Sequence, residues 1–218
     1  MRTAAALLAI GLVGACSSGA GGGGDKAAGD PPASTTEDRA ALTAALGARA
    51  LTPEDLATGD ALDVGWSAGD VTQGVDIVLP DCVLEEAGGT AEASTSTKLV
   101  TNSDLHLPSI EQGLAQYPTG GASKAFDDAA ARLDACEPTF IFQGAPAVGT
   151  TERLPLTVGG DQAAAWRTTV TIAGAAVSVT TIHVQDGDLE VSLVHTDLGT
   201  PDAAALEGLV AKAIAKLG

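Results

Sequence analysis

From Thr139 onward the apolar residues recur at every second position, and Asp186-Gly187 sits between two of the longest such runs. A period of two sends alternate side chains to opposite faces, and Asp-Gly is the dipeptide that a two-residue hairpin turn favours. The second half of the chain therefore reads as a series of antiparallel strands. Phe140 and Phe142 alternate in one, Arg153 to Val158 forms another, and three more cover Ala165 to Ile172, Ala176 to Gln185 and Asp188 to Thr196. With Asp186-Gly187 as the turn, Val184 faces Leu189, Ile182 faces Val191 and Thr180 faces Leu193 on a largely apolar side. His183 faces Glu190 and Thr181 faces Ser192 on the other. A three-residue loop, Ala173-Gly174-Ala175, puts Trp166, Val170 and Ile172 on the apolar side as well, whereas a two-residue loop would turn them away from it.

Helical periodicity surrounds these strands. Thr35 caps a first helix, with Glu37 and Asp38 in its first turn and Ala41, Leu42, Ala45 and Leu46 along one face. Thr52-Pro53-Glu54-Asp55 repeats the start signal, but only Leu51 and Leu56 can anchor a helix there, so one or two turns are expected. Val75 to Val83 and Ser96 to Val100 read as strands, with Cys82 at the end of the first. Ser109-Ile110-Glu111-Gln112 has the form of a capping box, and Ile110, Leu114 and Tyr117 share a helical face, which predicts a helix ended by Pro118-Thr119-Gly120-Gly121. A further helix spans Ser123 to Cys136 on the stripe Phe126, Ala130 and Leu133. The last begins at Thr200-Pro201-Asp202 and carries Leu206, Leu209, Val210, Ala213, Ile214 and Leu217. The fold class is α+β: an antiparallel β-sheet with amphipathic helices packed on one face.

The same parity bears on chemistry. His183 and His195 lie twelve apart and invite a metal reading, yet the hairpin register sends them to opposite faces. His183 is expected as an exposed cross-strand partner of Glu190, and His195 beside Ser178 near the sheet's end; His106 stands alone in a loop. No catalytic triad, paired-carboxylate set or close metal-ligand spacing is legible. Neither a metal nor a cofactor is expected, and a hydrolase with an unrecognised active site is kept as an alternative.

The amino terminus has a different logic. Arg2 is followed by the apolar run Ala4 to Val13, about ten residues, which is half the length a membrane-spanning helix needs and fits an export leader. Val13-Gly14-Ala15-Cys16 resembles the lipobox of bacterial lipoproteins, which implies a leader over residues 1–15 and lipid attachment at Cys16. An ordinary secretory leader with an incidental cysteine is the weaker alternative. Residues 16–36 follow as the lipidated Cys and a Gly/Ser/Pro-rich tether, about 25 Å in mean reach for a flexible chain of that length. Within it Gly19, Gly21 and Gly24 match G-x-G-x-x-G, but without the flanking strand and helix the match carries nothing. Residues 37–218 are left as a single domain.

Composition limits its partners. The formal charge is −17, with 28 acidic residues against 11 basic ones. Such a surface repels phosphates and anionic headgroups, which argues against nucleic acid and leaves membrane contact to the lipid. In an exported chain the remaining cysteines, Cys82 and Cys136, are expected to pair as a disulfide in preference to acting as a catalytic thiol or metal ligands.

Three stretches, "ARALTPEDL", "PSIEQGLAQYPTGGASKAFDDAAARLDACEP" and "VQDGDLEVSLV" before the terminal helix, resemble the extracellular sensor-like domain of mycobacterial serine/threonine kinases of the PknH type and the free-standing actinobacterial lipoproteins like it. The resemblance implies an α+β domain with a groove, working on the extracytoplasmic face of the cell membrane. This chain has one candidate disulfide where the kinase-attached form usually has two, and no kinase segment. The expected function is non-enzymatic: a lipid-anchored sensor-like domain that binds a small or apolar envelope ligand, with a docking module for another envelope protein as the alternative. No ligand residue carries over from the resemblance.

Overall fold

The computed structural model describes residues 35–56, 65–69, 77–78, 82, 90–101, 103, 106–142, 145–172 and 174–218. The leader, Cys16 and the tether to residue 34 lie outside the described residues, as does most of the first expected strand.

Four helices are described: α1 (Thr36–Gly47), α2 (Pro53–Leu56), α3 (Gly121–Asp134) and α4 (Ala203–Ala215). The described strands are β1 (Trp66–Ala68), β2 (Ile77–Val78), β3 (Ala93–Thr101), β4 (Ser109–Gln116), β5 (Thr139–Phe142), β6 (Ala145–Val148), β7 (Thr150–Leu154), β8 (Gln162–Ile172), β9 (Ala175–Asp186) and β10 (Leu189–Leu198). Seven of them pair antiparallel in the order β1-β3-β4-β10-β9-β8-β7, while β2, β5 and β6 make a smaller sheet. The class is α+β, as the two periodicities imply.

Local chemistry accounts for most of the elements. The Thr35 side chain accepts from the Asp38 N–H at 3.2 Å, and Asp38 in turn accepts from the Thr35 N–H, a reciprocal cap on α1. The apolar stripe of α1 is narrower than its sequence suggests: Leu46 is buried and Leu42 half-buried, but Ala41 and Ala45 face solvent. Packing passes to Ala50, Leu51 and Leu56 around α2. At α4 the cap is Asp202, whose carboxylate accepts from Ala204, rather than Thr200.

One element differs in kind. Residues 109–116 form strand β4, bonded to β3 on one side and β10 on the other. Ile110 and Leu114 are four apart, a spacing that is also an even number, so the same pair lies on one face of a strand. Gly113 weakens the helix, and two neighbouring strands offer a full ladder of backbone partners.

The turns set which side chains meet. Ile172 pairs directly with Ala175, so the β8–β9 connection is two residues long rather than three. Trp166 consequently pairs with Thr181 and lies on the face opposite Ile182 and Val184. In the last hairpin Asp186 pairs with Leu189, Val184 with Val191 and Ile182 with Leu193, so the turn is Gly187-Asp188, one residue later than Asp186-Gly187. Moving the turn by one residue shifts every pair by two and leaves each side chain on its expected face.

Both faces are covered. On one, Ile110, Leu114, Ile182, Val184, Val191 and Leu193 pack with Leu46, Leu51, Leu56, Leu206, Leu209, Val210 and Ala213 from α1, the α1–α2 connection, α2 and α4. On the other, α3 lays Phe126 and Leu133 against Ala164 and Trp166. One of the expected helices, α3, thus lies on the side opposite the other three, because the shorter loop sends Trp166 there and a fully buried indole needs cover. Beside α3, Phe140 packs with Val170, Val177 and Val179, and half-buried Cys82 and Cys136 border that cluster.

Candidate ligand site

Each sequence-predicted residue that is described can be placed. Cys82 and Cys136 are joined, with Cα atoms 5.9 Å apart, just beyond the end of α3. His106, at φ 52°, holds its Nδ1 3.1 Å from the Thr101 carbonyl and stays in a loop. No three His, Cys, Asp or Glu side chains among the described residues gather within reach of one metal ion.

His183 corrects its expectation. It is 3% exposed, lies on the face covered by α3, and pairs across strands with Ser192 rather than Glu190. Its contact with Glu190 is diagonal: Nδ1 donates to Oε1 at 2.8 Å, while the Tyr117 hydroxyl donates to Oε2 at 2.9 Å. All three side chains are buried. Burial, then the adjacent Glu190 charge, holds the Tyr117 phenol well above its ordinary range. Both carboxylate oxygens have donors, so the trio joins the end of β4 to β9 and β10 as a satisfied polar staple.

His195 lies on the opposite face, as the parity argument requires, and with Ser178 on that same face. The two are diagonal neighbours, since His195 pairs with Thr180 and Ser178 with Asp197. One row runs Glu152, Arg167, Thr180, His195, Ile110 across β7, β8, β9, β10 and β4. The next row toward the sheet's end holds Thr150, Thr169, Ser178 and Asp197. This face is therefore divided: apolar under α1, α2 and α4, polar at one end.

The polar end is buried and short of partners. His195, Thr180 and Ser178 are each 0% exposed, and both imidazole nitrogens, Thr180 Oγ1 and Ser178 Oγ have no hydrogen-bond partner among the described residues. Arg167 Nε is likewise buried and unpartnered, while its Nη1 lies 3.9 Å from Glu152 at the solvent side. Burial pushes the His195 pKa down, opposed in smaller measure by Asp197, so the ring is neutral near pH 7, one nitrogen a donor and the other an acceptor. A buried polar atom without a partner costs about 1–3 kcal/mol. Four such side chains in adjacent register positions form a concentration of unanswered hydrogen-bonding capacity. Arg167 is the residue that strand periodicity misses: a three-residue β8–β9 loop places it on the other face.

No family model and no curated protein matches the chain. Among solved structures, the extracellular domain of PknH from Mycobacterium tuberculosis is similar at a TM-score of 0.53 and 13% identity, over 77% of this chain and 96% of that one. The likeness is one of fold. It agrees with the resemblance carried by the sequence and extends over nearly the whole of that domain. No helix among the described residues is long and apolar enough to cross a membrane.

Proposed function

We propose that this chain is an extracytoplasmic lipoprotein, anchored through acylated Cys16, whose sensor-like domain binds a small polar ligand without transforming it. The observation that carries the binding function is the polar end of the large sheet, where the side-chain polar atoms of His195, Thr180 and Ser178 and the Nε of Arg167 are buried together without hydrogen-bond partners among the described residues. Natural cores rarely leave such groups unanswered, and of the small or apolar ligand that the sequence suggested their clustering favours a small polar one. The leader, the lipobox-like Val13-Gly14-Ala15-Cys16 and the likeness to an extracellular domain support the location. Two measurements test the whole. Intact mass of the membrane-extracted protein should show acyl mass on Cys16 and loss of residues 1–15, both absent in Cys16→Ala. Native mass spectrometry of the same material should show a bound small molecule that is lost in Thr180→Val and His195→Leu; protein with no added mass counts against binding.

A second reading, docking on another envelope protein, draws on the outer face of the small sheet. There Ile141 and Val148 are 44% and 81% exposed, and Ile141 pairs with Pro146. Crosslinking in intact cells that loses a recurrent partner on Val148→Lys would favour it.

A further inference from the structure

The unanswered atoms at the polar end are not equivalent, and their differences specify a ligand. Arg167 is the cation of the two polar rows, and Glu152 meets only its Nη1, at 3.9 Å and from a position 66% exposed. The Arg167 Nε is buried and has no hydrogen-bond partner among the described residues. A guanidinium edge with two parallel N–H groups matches the two oxygens of a carboxylate. A single fork with Glu152 beside its Nη1 and Asp197 in the next row on β10, in a chain of formal charge −17, favours one negative charge over the two of a phosphate monoester. Thr180 lies between Arg167 and His195 in the same row, so the backbones of those two are about 10 Å apart. A compact molecule bridges that span once the long arginine side chain is allowed for. The Thr180 and Ser178 hydroxyls can donate to carboxylate oxygens, but the neutral His195 ring needs a donor for one nitrogen as well as an acceptor for the other. A ligand hydroxyl supplies both.

Resting on the ligand-binding reading above, we infer that the ligand is a small hydroxy-monocarboxylate: Arg167 grips the carboxylate, Thr180 and Ser178 complete its hydrogen bonds, and the ligand hydroxyl sits against the His195 ring. Arg167 has a side chain 14% exposed and stands on β8, next to the β7 edge of the sheet, so the carboxylate end lies nearest solvent. The apolar half of the same face limits the ligand's bulk at the other end.

The purified full chain is titrated with two matched series at constant ionic strength: lactate, propionate and lactamide, then 3-hydroxybutyrate, butyrate and 3-hydroxybutyramide. Binding is read from the Arg167 Nε–H cross-peak in proton–nitrogen spectra, assigned by its loss in Arg167→Gln, and from the thermal midpoint. At least one hydroxy acid should move the cross-peak and raise the midpoint. Its deoxy partner should bind about tenfold more weakly, and its amide weaker still, as expected for lost hydrogen bonds in a buried site. Arg167→Lys, which keeps the charge without the fork, should weaken the hydroxy acid by about tenfold or more. Equal binding of amide and acid, or unchanged affinity in Arg167→Gln, overturns the inference and leaves a site for a neutral ligand. Silence of all six probes also overturns it. The broader binding reading is judged separately, by the native mass of protein taken from its own envelope.

Discussion

His195 and Glu190 show two ways of burying an ionisable group, one on each face of the same strand. Glu190 has a donor on each oxygen, from Tyr117 and His183. Tyr117→Phe removes one of these and leaves a buried carboxylate oxygen short of a partner, so urea denaturation should show a loss of about 1–3 kcal/mol. His195 has none among the described residues, and its burial costs stability that a nonpolar side chain would not. His195→Leu should therefore raise the thermal midpoint while abolishing ligand binding, the pattern of a site held at the expense of stability. The same residue predicts a pH dependence. Its folded pKa is depressed below the unfolded value of about 6.5, so as pH falls the unfolded chain takes up the proton first. Stability from this source is complete above about pH 6.5 and declines as pH drops below that value, through the depressed folded pKa. Thermal midpoints between about pH 8 and 5.5 should fall in the parent and fall less in His195→Leu. Hydrogen bonds from Thr35 hold Asp38 below the ordinary carboxylate range, and at Asp55 the upward push of burial is outweighed by hydrogen bonds from Lys216 and Thr52 and by the Lys216 charge, so their losses come at lower pH.

At the scale of elements, strands β8 to β10 carry both the core and the candidate site, and their connections decide which residues share a face. Gly160 lies just before β8 at φ +99°, where an added Cβ would stand 2.6 Å from Val184 Cγ1 and 2.8 Å from the Gln185 carbonyl oxygen. Neither neighbour can retreat without moving β9, so Gly160→Ala should cost about 1–3 kcal/mol by urea titration, from backbone strain together with the clash. The side chain of nearby Asp161 accepts from the Gly187 N–H at 3.0 Å, and Gln185 donates to the Gly187 carbonyl at 2.6 Å. These bonds hold the final turn at Gly187-Asp188, and an Asp-Gly dipeptide read alone cannot register them. Residues 109–116 make a related point. A spacing of four satisfies a helix and a strand alike, and the choice fell to the backbone partners that β3 and β10 provide.

For the whole molecule, the Cys82–Cys136 bond closes a sequence separation of 54 and fastens the chain beside β5 to the end of α3. Chain-entropy reasoning gives such a closure about 4 kcal/mol, against a total of about 5–15 kcal/mol for a typical domain. The double variant Cys82→Ala, Cys136→Ala should lower the denaturation midpoint by a corresponding amount and make it insensitive to reductant, whereas the parent should fall to the variant's level when reduced. The α+β class, the opposite facing of His183 and His195, the nearness of His195 to Ser178 and the cysteine pairing were all legible in the sequence. They rest on side-chain period and on chemistry local to a turn or a compartment. The burial of His183, the side taken by Trp166 and Arg167, and the strand at residues 109–116 were not. A loop one residue shorter reverses a strand's faces, and a helix laid over the second face turns an outward histidine into a core residue. That His195, Thr180, Ser178 and the Arg167 Nε lack partners among the described residues belongs to the tertiary structure alone, because a buried atom is orphaned by what packing fails to bring near it, and no single stretch of chain records that.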